Sequence, residues 1–321
     1  MENEMIKSEC EDTLSKYFYF INCSEMEKEL CNMEIRSIFG KEPEAKYLFS
    51  EKNFDPSRSP FIKLQIKSIY IEKNLENIIN KIKHTKISYD DFKVNYIKSE
   101  NGDVSYEERL KAVKRIGFVV TGFPNIHNPK IELAITKVKN KWIFGELIRN
   151  NFKWQRHNEK PHSYSNAVPL RMARALVNIA VGDNRELSLV DPCCGVGTVV
   201  IEALDLGINV KGYEISKPIA CNARNNIEFL GYNREIITSG DMHDINECFD
   251  VAIVDIPYGL FSPVTLQEQV DIINTSRRIA RKIVIITFED MDNLIISAGF
   301  KIVEKCYIRK GNMIRQISIC V

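Results

Sequence analysis

Between residues 187 and 288 the chain repeats one pattern, a short apolar run followed by a segment of helix length. The runs are LSLVD, NVKGYEI, REIITSGD, FDVAIVD and RKIVIITF, and the segments between them include TVVIEALDLG, SKPIACNARNNIEFLGY and LQEQVDIINTSRRIA. Apolar strands joined by helices need crossover connections, so the pattern predicts a parallel sheet covered by helices on both faces. Ligands of such sheets gather at the carboxyl ends of the strands. Ahead of the first strand, NAVPLRMARALVNIA reads as a helix with Asn166 as its cap and Pro169 in its first turn. The closing YIRKGNMIRQISICV reads as a β-hairpin.

The strand ends carry acids: Asp191 in LSLVDPCCGVGT, Glu214 in VKGYEIS, Asp241 in TSGDMHD and Asp255 in VAIVDIPYGLF. Gly195 and Gly197 make a turn that lets backbone approach a ligand just before a helix with free N–H groups. The full G-x-G-x-x-G is missing, which disfavours a nicotinamide dinucleotide. Glu214 lies 17 residues beyond Gly197, close to the ~20 at which an acid meets ribose hydroxyls in a doubly wound sheet. One acid at a strand end ordinarily caps a helix or meets solvent. Four in register predict a pocket for a nucleoside-bearing cofactor.

A chain of 321 residues is long enough for two or three domains. KYFYFINC and SEMEKELCNMEIRSIFG read as a strand and a helix, with Ser24 and Glu27 as a capping box and Gly40 as the stop. The loop FDPSRSP sets a boundary, giving a small α/β domain over 1–59. From 60 to 150 strands and helices alternate as a second α/β module, closed by a hairpin turning at an NK pair, 140–141. The third domain, 151–321, holds the sheet described above. Residues 60–160 carry 20 Lys+Arg against 11 Asp+Glu while both flanks are acidic, so an overall charge of +1 conceals a basic middle suited to a polyanion. Nine scattered cysteines, without a C-x-x-C pair, predict reduced packed thiols and no metal site. No apolar run approaches the ~18 residues of a membrane span, and the expected compartment is the cytoplasm.

The acids, the glycine turn and DIPYG resemble the class I S-adenosylmethionine-dependent methyltransferases of the amino-methylating kind, which carry a D/N-P-P-Y motif. The resemblance implies a Rossmann-like, mostly parallel seven-stranded sheet with S-adenosylmethionine as cofactor and S-adenosylhomocysteine as product. It implies that Asp191, Gly195 and Gly197 border the methionine portion, that Glu214 binds the ribose, and that Asp241 with Met242 meets the adenine. Cys194, Thr198 and Ile215 beside them, Asn166 upstream and Asp255 complete the expected cofactor set. Asp255, Pro257 and Tyr258 would be catalytic. A purine amine is a poor nucleophile because its lone pair is delocalised into the ring. Asp255 would accept its hydrogen bond, backbone carbonyls near Pro257 would help to aim the lone pair, and Tyr258 would stack on a flipped base. Ile256 stands where the motif has its first proline, yet it precedes Pro257 and so keeps an extended bias. Pro192-Cys193 resembles the nucleophile pair of cytosine C5 methyltransferases, but that pair belongs after the fourth strand, so covalent catalysis is rejected.

KPHSYSNAVPLRMARALVNIA together with DPCCGVGTVVIEA resembles, more narrowly, the tRNA guanosine N2-methyltransferases that modify position 10, and RLKAVKRIGFVVTG with NPKIELAITKVKNKWIFGELI resembles their THUMP RNA-binding domain. The implied partner is tRNA, with neither membrane nor metal involved. Lys137, Lys139, Lys141, Arg149, Lys153, Arg156 and Lys160 are the expected phosphate contacts, interleaved with Trp142 and Trp154, of which Trp142 reads as core. Two other readings remain: an adenine-N6 or cytosine-N4 DNA (or other RNA) amino-methyltransferase using the same motif, and a non-catalytic RNA-binding protein on a degenerate fold, for which Ile256 is the supporting feature.

Overall fold

The computed structural model describes residues 16–99, 104–164, 167–257, 264–310 and 313–321. Asn166 and Tyr258, both expected at the site, lie outside the described residues. The chain forms two compact units, one of residues 1–22, 43–57 and 61–151, the other of 23–42, 58–60 and 152–321.

The first unit is a six-stranded sheet. Its strands are β1 (Tyr17–Ile21), β2 (Tyr47–Ser50), β3 (Ile62–Glu72), β4 (Phe92–Tyr96), β5 (Ile131–Val138) and β6 (Lys141–Arg149), in the order β2-β1-β3-β6-β5-β4. Only the β4–β5 pair is parallel. Alternation along β5 sends Leu133 and Ile135 to one face, where they meet Ile78, Ile79 and Ile82 of α2 (Leu75–Thr85) and Ile116 of α3 (Tyr106–Val119). Ala134 faces the other way, against Phe18, Leu64, Ile66 and Ile143. Ser105 and Glu108 make a full capping box on the second helix. The β5–β6 turn falls on Lys139 and Asn140, one residue earlier than the NK reading, with Lys139 at φ +50°.

These strands overturn a separate domain over 1–59. β1 pairs with β3, so the first and second expected domains share one sheet. The helix between β1 and β2, α1 (Lys28–Phe39), belongs instead to the other unit. Its Glu34, fully buried, accepts hydrogen bonds from Ser59 Oγ (2.6 Å) and Asn178 Nδ2 (2.7 Å), and burial pushes the carboxyl up to about 7. Arg36 on its flank pairs with Glu304. Gly40 ends α1 in the left-handed region, as expected, but Ser24 caps only a 3-10 turn and its hydroxyl meets the Glu27 carboxylate rather than backbone.

The second unit is built on β7 (Leu189–Asp191), β8 (Val210–Glu214), β9 (Ile237–Ser239), β10 (Phe249–Asp255), β11 (Ala280–Thr287), β12 (Ile302–Lys310) and β13 (Met313–Cys320). Their order is β12-β13-β11-β10-β7-β8-β9, with β7 to β11 parallel and the closing hairpin antiparallel. This is a Rossmann-like, mostly parallel seven-stranded sheet, as expected. Helices α4 (Leu170–Val181), α5 (Thr198–Asp205), α6 (Lys217–Phe229), α7 (Leu266–Ile279) and α8 (Asp292–Ser297) accompany it. The almost unbroken burial of β10 is that of a strand covered on both faces. From β7 the chain runs outward through β8 and β9, then returns to β10 on the opposite side of β7. That reversal opens a crevice at the carboxyl ends of β7 and β10. Among the described residues no helix is long and apolar enough to cross a membrane.

Candidate active site

A cavity of about 670 Å3 lies at this reversal, within the range of small-molecule sites. Asp191, Glu214 and Asp255 are the last residues of β7, β8 and β10, and Asp241 follows β9 as the cap of a short 3-10 turn, its Oδ1 accepting from His243 N (2.9 Å). All four line the cavity. Adjacent parallel strands of similar register deliver this arrangement, because each ends on the same edge of the sheet.

The glycine turn is fixed from several sides. Cys194 N donates to Tyr213 O (2.8 Å) and Gly197 N to Cys194 O (2.8 Å). Gly197 holds φ +82°, where a side chain would be strained, and caps α5. Glu214 accepts Gly195 N on Oε2 (3.0 Å) and Ser216 N on Oε1 (2.8 Å), which leaves each oxygen a further lone pair. Asn226, fully buried, ties a preceding segment to the turn. Its Oδ1 accepts His162 N (2.9 Å) while Nδ2 donates to His162 O (2.9 Å) and Val196 O (3.0 Å).

Burial dominates the electrostatics. It pushes Asp191 up to about 8, helped by the charges of Asp255 and Glu214, and Asp255 up to about 6 against the attraction of Arg315. Asp191 is thus held toward its neutral form, while Asp255 stays mostly ionised at pH 7. Asp255 Oδ1 and Thr198 Oγ1 are buried without a hydrogen-bond partner among the described residues. Burial also raises the Cys193 and Cys194 thiols above their ordinary range, so neither presents a thiolate, which agrees with rejecting covalent catalysis. Ile256 is buried in the core, and its N–H donates to Ile286 O (3.1 Å), a ladder bond that proline could not make. The departure from the motif is therefore accommodated by the sheet. Gln269 Nε2 holds the Pro257 carbonyl (3.0 Å).

Of the residues expected around a cofactor, Cys194, Gly195, Thr198, Ile215 and Met242 join the four acids on the cavity wall, with Pro257 also there; Gly197 stands just behind as the helix cap. Sequence reasoning missed Tyr164, His243, Glu268 and Asp271, which line the same cavity. A signal for the last two was present. Thr265 and Glu268 form a capping box that starts α7, and positions 268, 271 and 272 then share one helix face.

The residues expected on RNA divide between the units. Lys137, Lys139, Lys141 and Arg149 belong to the first, where Lys139 pairs with Glu44 (2.5 Å) and Arg149 with Glu132 (3.0 Å). Lys153, Arg156 and Lys160 belong to the second, and burial lowers the Lys160 ammonium. Trp142 packs against the first unit's core, edge-on to Tyr96. Trp154 is buried rather than interleaved at a surface. The Arg174 guanidinium lies 5.5 Å from its ring centre and also pairs with Glu202 (2.7 Å) and Asp205 (2.9 Å), while the buried His157 meets Glu202 through Nδ1 (2.6 Å).

Residues 158–261 match the family model of the UPF0020, RMKL-like methyltransferase domain. Three curated relatives are each described as a tRNA (guanine(10)-N2)-dimethyltransferase. The Pyrococcus abyssi protein is 29% identical over 42% of this chain and 43% of its own length. The Methanothermobacter thermautotrophicus protein is 28% identical over 36% and 34%, and that of Methanocaldococcus jannaschii 23% over 66% and 65%. The chain thus spans less than two thirds of the length of each. Among solved structures, it is similar to TrmN from Thermus thermophilus at 13% identity and a TM-score of 0.47, over 95% of this chain and 98% of that one.

Proposed function

With residues 158–261 an RMKL-like methyltransferase domain of the UPF0020 family, we propose that the protein transfers methyl from S-adenosylmethionine to the exocyclic N2 amine of a guanine in tRNA, at the position named in its relatives, position 10. The observation that carries the reading is the convergence of four strand-end carboxylates on one cavity, with Asp255 Oδ1 buried there unpartnered. The cofactor's donors suit that wall. The spare lone pairs of Glu214 would take the ribose hydroxyls, Asp241 the adenine amine, and Asp191 with the turn at Gly195 and Thr198 the methionine portion. When bound, S-adenosylmethionine supplies an electrophilic methyl group.

The chain's own residues prepare the nucleophile. Asp255 accepts an amine N–H and holds the nitrogen toward tetrahedral geometry, so that its lone pair points into the cavity. Ionised at neutral pH, the same carboxylate is placed to take the surplus proton. Gln269 keeps the Pro257 carbonyl fixed as a second acceptor, and Tyr258 is assigned the stacking role. The first unit, with Lys137, Lys139, Lys141 and Arg149, would serve as the THUMP-like RNA-binding module. Its exposed ion pairs are weak enough to be exchanged for phosphate.

The test is methylation of a tRNA transcript and of duplex DNA with labelled cofactor, followed by nucleoside mass spectrometry. N2-methylated guanosine at position 10 is expected, and label in DNA alone would overturn the reading. Cofactor at a hundred times its Kd should also stabilise the chain by about 2.7 kcal/mol. No rise in melting temperature would point to a fold without catalysis.

A further inference from the structure

The cavity wall carries six acidic side chains, Asp191, Glu214, Asp241, Asp255, Glu268 and Asp271, of which burial pushes Asp191 toward its neutral form, and no lysine or arginine among the described lining residues. Such a wall accepts hydrogen bonds and repels anions, so a bound group is selected by its donors. The first four acids stand on successive strand ends. Glu268 and Asp271 come from α7, the helix that also supplies Gln269 to the Pro257 carbonyl beside Asp255. They are not equivalent. Glu268 is exposed, and its Oε2 is engaged by the N–H and hydroxyl of Thr265 in the helix cap. Asp271 is half-buried, sits next to the buried Ile272 and, among the described residues, accepts on Oδ1 from Gln267 Nε2 (2.9 Å).

The purines differ at the edge such a wall would meet. Guanine offers two adjacent donors, N1–H and the 2-amino group, whereas adenine and 2-aminopurine have an unprotonated N1. We infer that Asp271 is a specificity-determining residue that accepts the N1–H of the target guanine while the unpartnered Asp255 Oδ1 side of the cavity receives its 2-amino group. An N1 lone pair set against a carboxylate would lose a charge-assisted hydrogen bond and gain repulsion, a discrimination of about 10- to 100-fold. The inference rests on the proposed methyl transfer to guanine N2 and adds the group that chooses the base.

The experiment uses the full chain and a tRNA assembled by ligation with either guanosine or 2-aminopurine at the target position. Both carry the 2-amino group, so transfer to each can be followed with labelled S-adenosylmethionine. The wild type should prefer guanosine by about 10- to 100-fold in kcat/KM. Asp271→Asn replaces an acceptor with an amide that can donate to N1. It should slow guanosine about tenfold and narrow or reverse the preference, with cofactor affinity and melting temperature unchanged. Asp271→Ala should narrow the preference without any gain on 2-aminopurine. A preference in both variants equal to that of the wild type would overturn the inference. If the wild type methylates neither tRNA, the failure lies with the proposed function instead.

Discussion

Replacing Asp255 with asparagine should separate the proposed activity from stability, because the role assigned to this carboxylate in the first comes at the expense of the second. The native state raises this carboxyl from 3.8 to about 6 by burial. Ionising it at pH 7 therefore destabilises the fold by about 3 kcal/mol relative to the unfolded chain. The sign follows from the direction. A raised acid penalises the native state fully above about pH 6, and the penalty fades as pH falls toward 3.8. At pH 5 about half of it, ~1.5 kcal/mol, is left. An asparagine carries no such penalty but leaves a polar atom buried where Oδ1 has no partner, a loss of about 1 kcal/mol. Asp255→Asn should thus be more stable than the wild type by about 2 kcal/mol at pH 7, or about 4 to 8 °C in melting temperature, and nearly equal to it at pH 5.

Methyl transfer by the same variant should fall about 100-fold or more, because an amide in that place no longer offers a charged acceptor to the amine. Thermal and urea melts at pH 7 and pH 5 would be read beside single-turnover methylation of a tRNA transcript. A variant less stable than the wild type at pH 7, or a stability gap that does not shrink in acid, would refute the electrostatic argument. Unchanged turnover would refute the catalytic one. In the wild type, turnover should decline as pH drops through about 6.

Two other substitutions probe how the site is supported. Asn226→Ala strands the N–H and carbonyl of His162 and the carbonyl of Val196, and should destabilise the second unit by about 2 to 4 kcal/mol; calorimetry should also find weaker cofactor binding, and an unaltered dissociation constant would show that the glycine turn does not depend on this clamp. Arg174→Ala removes one of two basic partners of the buried Glu202, His157 being the other, and should destabilise by about 3 kcal/mol in urea melts.

The parallel sheet and its acids were legible because both are local facts. A strand buried on both faces reads as an apolar run, and the residue that ends it is adjacent in sequence. Asp191, Glu214, Asp241 and Asp255 could therefore be placed on one rim before any strand order was known. The partner of α1 was not legible in the same way. Its apolar spacing shows that a face is buried, but not that Glu34 meets Ser59 and Asn178 of the second unit. Trp154 misled for a related reason. A basic and aromatic string can mark an RNA surface or, as at Trp154 and His157, a buried polar network, and the sequence does not reveal that Arg174 and Glu202 wait for them. Asp271 escaped because its face is set by where α7 starts, which depends on recognising the cap at Thr265.

The charges of the chain bear on how an RNA substrate would be handled. A cavity walled by acids, with no lysine or arginine among its described lining residues, attracts amines and hydroxyls but repels the phosphates that accompany any target nucleotide. The base would have to enter alone, turned out of its stack, with its backbone held elsewhere. The sequence concentrates lysine and arginine in the segment 60–160, 20 of them against 11 acids. Phosphate contacts there would fix position without reading sequence, while the acidic wall would select by donor pattern alone. Affinity for RNA should consequently respond steeply to salt, whereas the choice between guanine and 2-aminopurine should barely respond, since it is made inside a cavity screened from the bulk.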